Sequence, residues 1–174
     1  MRKDMPEMSL MNSAAVVMVV MVILVSIISG SLEYTYIHLD GLPYREARQP
    51  VVGTFYYYHL EAIIPVIGLI AFQPVIYEVL SRHSASQDLR RILAFCFGNL
   101  LLALILEDAT WFMLRRFSPL LSDPLAYEWI RPSDYTASSL GYSVIFGAII
   151  PLWYLILVPP IVAIYAALIV LPKD

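Results

Sequence analysis

The chain has 174 residues, a formal net charge of −3, and a composition that is 60% hydrophobic and only 14% charged. Soluble domains carry about 25% charged residues, so this composition excludes an ordinary soluble fold and indicates an integral membrane protein. Lys and Arg do not cluster along the sequence. Nucleic acid is therefore excluded as a partner, because phosphate binding needs grouped positive charge.

Four apolar stretches are long enough to cross a bilayer core of about 30 Å, which needs about 20 helical residues. They cover approximately residues 13–32, 58–80, 91–114 and 143–171. Lipid offers no hydrogen-bond partner to backbone groups, so each stretch should be helical. The sequence therefore predicts an all-α, four-helix membrane bundle that forms a single domain over residues 1–174, with two long loops.

The first stretch has two open interpretations. Arg2 and Lys3 precede it and small residues follow it, a pattern that is also typical of a signal peptide. Its apolar core is longer than the about 7–15 residues of most signals, which favours a retained helix. Within it, Ser26 and Gly30 lie four residues apart, a spacing that favours close packing against another helix.

The last stretch is too long for one straight crossing, since it would reach about 43 Å at about 1.5 Å per residue. Pro159 and Pro160 each lack a backbone donor, which predicts that the fourth helix is kinked there. The span could instead begin near Pro151. In that case residues 143–149 form a short buried or interfacial segment.

The distribution of positive charge predicts the orientation. Six Lys and Arg residues lie in the two tails and the short second loop, whereas five lie in the two long loops, 33–57 and 115–142. Positive charge concentrated in short segments marks the cytoplasmic side. Both termini of this multi-pass chain are therefore predicted to be cytoplasmic, and the long loops lie on the outer side of the cell membrane.

The two long loops are rich in aromatic residues, and two interpretations of this remain open. Aromatic rings favour the headgroup zone, so these residues could form an interfacial belt. Loops of this length rarely lack structure, so they could instead fold over the bundle as an ordered cap. The residues are Tyr34, Tyr36, Tyr44, Tyr56, Tyr57, Tyr58, Tyr127, Trp129, Tyr135 and Tyr142.

Four ionisable residues fall at one level of the predicted bundle. His59 and Glu61 begin the second helix, and Glu107 and Asp108 lie near the end of the third. Because these two helices run in opposite directions, the four side chains are expected at similar depth on the outer side. An unpaired charge in lipid is costly, so a partner, a water-filled cavity or a function is expected there.

Three interpretations of these four residues stay open. The first is a structural network in which the acids pair with nearby arginines or tyrosine hydroxyls. The second is a metal site, because imidazole and carboxylate groups are suitable ligands for a divalent ion such as zinc, manganese or iron. No spaced ligand motif accompanies them. The third is a proton or ion pathway in which Glu61 or Glu107 changes protonation.

The segment EDATWF at residues 107–112 carries a resemblance to a known group of proteins, together with Pro119, Trp129, Pro132 and Tyr135. On these residues the chain resembles small polytopic prokaryotic membrane proteins that carry an ED-x-x-W-F segment. Those proteins continue with an Asn-Pro turn, where this chain has Arg115, Arg116 and Phe117. The family has no established activity, so the resemblance assigns no roles and only draws attention to Glu107 and Asp108.

The expected function is that of a noncatalytic subunit or accessory of a larger membrane assembly. The partners would be the lipid bilayer and either other membrane subunits or further copies of the chain, since small apolar bundles readily pack against one another. One alternative is a small proton-coupled transporter or channel. Another is a metal-dependent membrane enzyme, with a divalent metal ion as its cofactor. No triad order or phosphate-binding loop is visible, so no catalytic residue is assigned.

Overall fold

A computed structural model describes residues 10–38, 50–52, 55–56, 63–81, 89–120, 122–138 and 140–170. These residues form α1 (Leu10–His38), β1 (Pro50–Val52), β2 (Phe55–Tyr56), α2 (Ile64–Ala71), α3 (Gln73–Ser81), α4 (Leu89–Phe117), α5 (Tyr135–Ser138), β3 (Tyr142–Ile145), β4 (Ala148–Pro151) and α6 (Leu152–Val170). β1 pairs antiparallel with β2, and β3 pairs antiparallel with β4. The chain is mainly helical, as predicted, but these two small sheets show that an all-α fold was the wrong prediction.

Among the described residues, two helices are long and apolar enough to cross a membrane, Ala14–His38 within α1 and Leu89–Phe117, which is α4. In the most apolar 18-residue stretch of each helix, only 28% is buried inside the molecule. The core helix of a soluble protein is mostly enclosed by its own chain, so these exposed apolar faces favour a membrane environment. The apolar helix Leu152–Ala167 is shorter. A four-helix membrane bundle is therefore not confirmed.

Helix α4 lies at the centre of the described fold and contacts α1, α2, α3 and α6. Buried Val22 of α1, Ile67 and Ile70 of α2 and Ala103 of α4 pack together in one apolar cluster. In lipid, such packing stabilises a bundle through van der Waals contact, because there is no water to exclude. This cluster therefore holds α1, α2 and α4 together through apolar contacts.

The contacts of α4 fix the directions of its neighbours. Towards its end, Trp111 lies against Tyr34 near the end of α1, with ring centroids 5.5 Å apart, so α1 and α4 run parallel. Towards its start, Asn99 accepts a hydrogen bond from the hydroxyl of Tyr165 at 2.8 Å, near the end of α6. Helix α6 therefore runs antiparallel to α4, as alternating spans would require.

Helix α1 passes α4 at a very short distance. A Cβ atom at Gly30 would lie 2.2 Å from the carbonyl oxygen of Glu107 and 3.0 Å from the Cβ of Thr110. Ser26 and Ser29 are also buried at this crossing. The Ser26 hydroxyl donates to a backbone carbonyl one turn earlier, at 2.6 Å, so it needs no partner on another helix. Small side chains thus let the two backbones meet, as the spacing of Ser26 and Gly30 suggests.

The predicted second helix, residues 58–80, is interrupted. Its described part ends as α2 at Ala71 and resumes as α3 at Gln73, with Phe72 outside the helical conformation at ψ +4°. Pro74 is the physical reason, because it has no N–H to donate to the carbonyl four residues earlier. The described part of this predicted helix is therefore two short helices and not one continuous helix.

The predicted fourth helix does not begin where the sequence suggests. Residues 142–151 form the β3–β4 hairpin, in which Phe146 and Gly147 occupy the turn with φ angles of +49° and +80°. Two positive φ angles belong to the turn type whose twist matches antiparallel strands. Helix α6 starts at Leu152, in agreement with the alternative that the span begins near Pro151.

Helix α6 continues through Pro159 and Pro160 to Val170. The two prolines therefore do not end the helix. Whether its axis bends at these residues stays a prediction.

Candidate functional site

Two of the four residues predicted to form a site, Glu107 and Asp108, lie on α4 within the described structure. His59 and Glu61 lie outside the described residues, so their predicted position at the same level stays a prediction. Within the part of the chain that the structure describes, no group of three or more His, Cys, Asp or Glu residues could hold a metal ion. The four-residue metal site also stays a prediction.

Glu107 makes its contact with an acid on the neighbouring helix. Its side chain is hydrogen-bonded to Glu33 of α1. An ionised carboxylate can only accept hydrogen bonds, so a bond between two carboxyl groups requires a proton on one of them. The other oxygen of Glu107, Oε1, is buried and has no hydrogen-bond partner among the described residues. This part of the α1–α4 contact therefore brings two carboxyl groups together and leaves one oxygen of Glu107 without a described partner.

Asp108 faces the opposite neighbour, α6. The hydroxyl of Tyr154 donates to its Oδ2 at 2.5 Å. Tyr154 is held in turn against Trp153, with ring centroids 4.5 Å apart. Glu33, Glu107, Asp108 and Tyr154, hereafter the carboxyl cluster, thus join α1, α4 and α6 at one level. The tyrosine part of the predicted structural network is present in this cluster.

The nearest arginine on α4, Arg115, is engaged elsewhere. It is completely buried and donates to Oδ2 of Asp134 at 2.7 Å. Its guanidinium also donates to the carbonyl oxygens of Trp129, at 2.6 Å, and Glu128, at 3.2 Å. We call residues 118–141 the cap segment. Arg115 fixes the middle of this segment to the end of α4 and does not neutralise the carboxyl cluster.

Two aromatic rings of α4 complete the surroundings of Arg115. Its guanidinium carbon lies 5.2 Å from the ring centre of Trp111 and 4.9 Å from that of Phe112. Both distances are within the range of a cation–π contact, which is strongest where water is excluded. The buried guanidinium is therefore in contact with carbonyl and carboxylate acceptors and with two aromatic rings.

A second connection joins the end of α1 to the cap segment. The Tyr34 hydroxyl donates to Oδ2 of Asp123 at 2.9 Å and accepts from the N–H of Leu120 at 3.0 Å. Oδ1 of Asp123 lies 3.4 Å from Nε2 of His38. Tyr34 and Asp123 are both buried. Helix α1 therefore continues to His38, six residues beyond the predicted end at residue 32, because the cap segment satisfies its polar side chains.

These connections favour the cap interpretation for the second long loop. The cap segment is anchored at Arg115 and Tyr34 and is not an isolated row of interfacial rings. Tyr127 and Tyr135 remain exposed on its surface. Residues 39–49 of the first loop lie outside the described structure, so the interpretation of that loop stays a prediction.

We expect the attachment of the cap segment to weaken in acid. Burial opposes ionisation of Asp134, but hydrogen bonds from Arg115 and the N–H of Arg131, with the charges of both arginines, outweigh it and lower the pKa of Asp134. A carboxyl with a lowered pKa stabilises the fold above its unfolded pKa of about 3.9. That stabilisation is lost as the pH falls through the folded value.

The measurement is tryptophan fluorescence of the purified chain between neutral pH and about pH 2, because the loss is expected below the unfolded pKa of about 3.9. Trp111 and Trp129 both adjoin Arg115 and should report the change. Asp134→Asn should be less stable at neutral pH and should lose this acid transition. An unchanged acid transition in Asp134→Asn would show that another group causes it.

The sequence does not single out Glu33, Tyr154 or Asp134, although all three make the contacts described above. Glu33 lies just past the predicted first span, where a charge is ordinary, and Tyr154 fits an interfacial role equally well. A comparison with known proteins adds no family: no family model matches the chain, and no curated protein or solved structure matches it.

Proposed function

We propose that this chain is a multi-pass membrane protein that works as a noncatalytic subunit or accessory of a larger membrane assembly. The observation that carries the proposal is the apolar surface that the helices leave exposed. Leu24 of α1, Phe97 of α4 and Ile156 of α6 are each more than half exposed. Soluble monomers rarely expose continuous apolar surface on this scale, so lipid and partner helices are the natural environment of these faces.

The helix directions support a four-span arrangement. Helix α4 is parallel to α1 and antiparallel to α6, and the thiol of Cys96 near the start of α4 is hydrogen-bonded to the backbone of Val75 in α3. The pair α2–α3 would be the second span, with a break at Phe72. In this arrangement both termini lie on one side, and the positive charges of the short segments favour the cytoplasm.

Size in mild detergent tests the assembly. Protein extracted from its native membrane should have a protein mass well above 19.7 kDa by light scattering, after subtraction of the detergent. Stoichiometric partner chains or further copies of the chain should account for the difference. A protein mass of one chain would contradict the subunit proposal.

Cysteine labelling tests the topology separately. With Cys96 replaced by alanine, Ser133→Cys places a thiol on the exposed surface of the cap segment. An impermeant reagent should modify it from outside intact cells. Modification only from the cytoplasmic side would overturn the orientation and leave the assembly proposal standing.

A second candidate function is a small proton-coupled transporter or channel, and the carboxyl cluster favours it. The Glu33–Glu107 contact needs a proton, and Oε1 of Glu107 is buried without a partner among the described residues. Ionisable groups inside membrane segments commonly mark proton or ion pathways.

In proteoliposomes, a flux driven by a pH gradient should disappear in Glu107→Gln and persist in Glu128→Gln, which changes an exposed carboxylate of the cap segment. Absence of flux from the unaltered protein would reject this candidate.

The remaining alternative, a metal-dependent membrane enzyme, depends on His59 and Glu61 joining Glu107 and Asp108. Elemental analysis of the purified chain and of Glu107→Gln tests it directly. A stoichiometric metal that the substitution removes would support the alternative. Absence of metal from both proteins would reject it.

A further inference from the structure

We propose that the β3–β4 hairpin is a membrane-interface anchor, with Phe146 and its apolar neighbours inserted at the boundary between lipid headgroups and acyl chains beside α6. The inference rests on the proposed membrane location of the chain. It adds a lipid-contacting element that is not a helix, and it identifies the residues that make the contact.

The tip of the hairpin exposes large apolar side chains. Phe146 is fully exposed, at 106% of its reference area, and Val144 is 61% exposed. Tyr142 and Ile145 are also exposed. In water this arrangement is unfavourable, because the free energy falls when each of these apolar side chains is removed from water. The exposed tip is therefore explained if it contacts an apolar phase.

The backbone at the tip is unusual in the same place. Phe146 has a φ of +49°, a left-handed conformation that a bulky residue rarely adopts. Turns of this type favour Asn or Asp before the glycine, since those residues tolerate positive φ. An aromatic residue is thus present where a small polar residue would fold more easily. Strained residues of this kind are concentrated at sites of contact and function.

The rest of the hairpin is held in place by the protein. Ile149 of β4 packs against the buried cluster of Phe112, Ile130 and Ala137. At the base, the N–H of Leu152 donates to the carbonyl of Gly141 at 3.0 Å. One side of the hairpin is therefore anchored to the fold, and the tip projects away from it.

The chemistry of the surroundings favours lipid over a protein partner. Residues 135–172 contain no Asp, Glu, Lys, Arg or His. Protein interfaces usually have a polar rim, whereas aromatic and aliphatic side chains without charge are typical of the membrane interface. Helix α6 begins at Leu152, directly after the hairpin, so the hairpin lies at the end of a proposed span.

An apolar groove lies between the cap segment and α6. It has a volume of about 360 Å³ and is lined by Tyr135, Thr136, Leu140, Trp153, Ile156 and Leu157.

A two-stranded hairpin has unpaired edge groups, which the hydrocarbon core cannot satisfy. The hairpin is therefore placed at the boundary, where water still reaches its edges, and not deeper in the bilayer.

Nitroxide accessibility in vesicles tests the placement. The full chain with Cys96 replaced by alanine carries a spin label at Phe146→Cys or, in a second protein, at Val144→Cys. Each protein is reconstituted into phosphatidylcholine–phosphatidylglycerol vesicles. Both labels should be relaxed severalfold more by oxygen, which concentrates in lipid, than by a water-soluble nickel complex.

Two further label positions serve as controls. Ser133→Cys, on the exposed part of the cap segment, should favour the nickel complex, and Leu24→Cys, on the exposed apolar face of α1, should favour oxygen. Labels at 144 and 146 that resemble the one at 133 would overturn the inference. Labels at 144 and 146 that are shielded from both reagents would indicate a protein contact and would also overturn it. A water-exposed label at Leu24→Cys would instead reject the membrane location itself.

Discussion

Gly30→Ala is expected to destabilise the packing of α1 on α4 by about 3 kcal/mol, at the upper end of the usual cost of overpacking. The added Cβ would lie 2.2 Å from the carbonyl oxygen of Glu107. That oxygen belongs to the backbone of α4, so it cannot rotate away as a flexible side chain would. The two helices must separate instead. Thermal unfolding in detergent, followed by circular dichroism, should show a lower midpoint.

Gly68→Ala is the matched control. Gly68 also lies inside a helix, α2, but a Cβ at this position would meet no atom within 4 Å. Alanine has the higher helix propensity, so this substitution should leave stability unchanged or raise it by about 1 kcal/mol at most. Equal destabilisation by Gly30→Ala and Gly68→Ala would contradict the close crossing of α1 and α4.

Separation of α1 from α4 would also change the carboxyl cluster. The same crossing brings Glu33 to the side chain of Glu107. If the helices move apart, the two carboxyl groups lose their contact, and water gains access to both. The small residues at Ser26 and Gly30 therefore support the cluster as well as the bundle.

The long helices could be predicted from the sequence because their signal is simple. α1 and α4 contain apolar runs that are long enough for a span and nearly free of charge. Their ends were less predictable. The last turns of α1 carry Tyr34 and His38, which look like loop residues until the cap segment provides their partners. Tertiary contacts of this kind leave no local trace in the sequence.

The interrupted helix and the hairpin show two other limits. Pro74 is visible in the sequence, but a proline can be tolerated in a membrane helix, so the break at Phe72 does not follow from it. Residues 142–150 form an apolar run whose length fits either a strand or part of a helix. The pair Phe146 and Gly147 lacks the Asn or Asp that usually marks a tight hairpin turn.

The candidate site was only partly predictable for a related reason. Glu107 and Asp108 attract attention because they are charged within a predicted span. Their partners Glu33 and Tyr154 depend on which helix faces meet, and that follows from Gly30 and the start of α6. Composition alone contains no information about either contact.

Arg115→Ala is expected to destabilise the protein by about 3–5 kcal/mol, the usual cost of removing one partner of a buried ion pair. Asp134 would keep a mostly buried carboxylate without its strongest donor, and the carbonyl oxygens of Trp129 and Glu128 would each lose a hydrogen bond. The cap segment should detach first. Hydrogen exchange of residues 122–138 at neutral pH, together with the unfolding midpoint, measures both effects.

Arg116→Ala is the control because it removes the same charge from the adjacent position. Arg116 is exposed and donates only to the carbonyl of Tyr127 among the bonds that the structure describes. Exposed contacts of this kind contribute little to stability, so exchange in the cap segment should hardly change. Similar losses in Arg115→Ala and Arg116→Ala would contradict a special role for the buried arginine.

A double-mutant cycle separates the ion pair from the other bonds of Arg115. If the pair with Asp134 dominates, Arg115→Ala should cost far less in an Asp134→Ala background than in the unaltered chain, because the unpaired buried carboxylate is then absent. If the carbonyl bonds to Trp129 and Glu128 dominate, the cost is the same in both backgrounds. The short distance of 2.7 Å to Asp134 and the lowered pKa of that carboxyl favour the first result. Equal costs would show that Arg115 holds the cap segment through the carbonyl oxygens of Trp129 and Glu128. The acid transition would then have another origin.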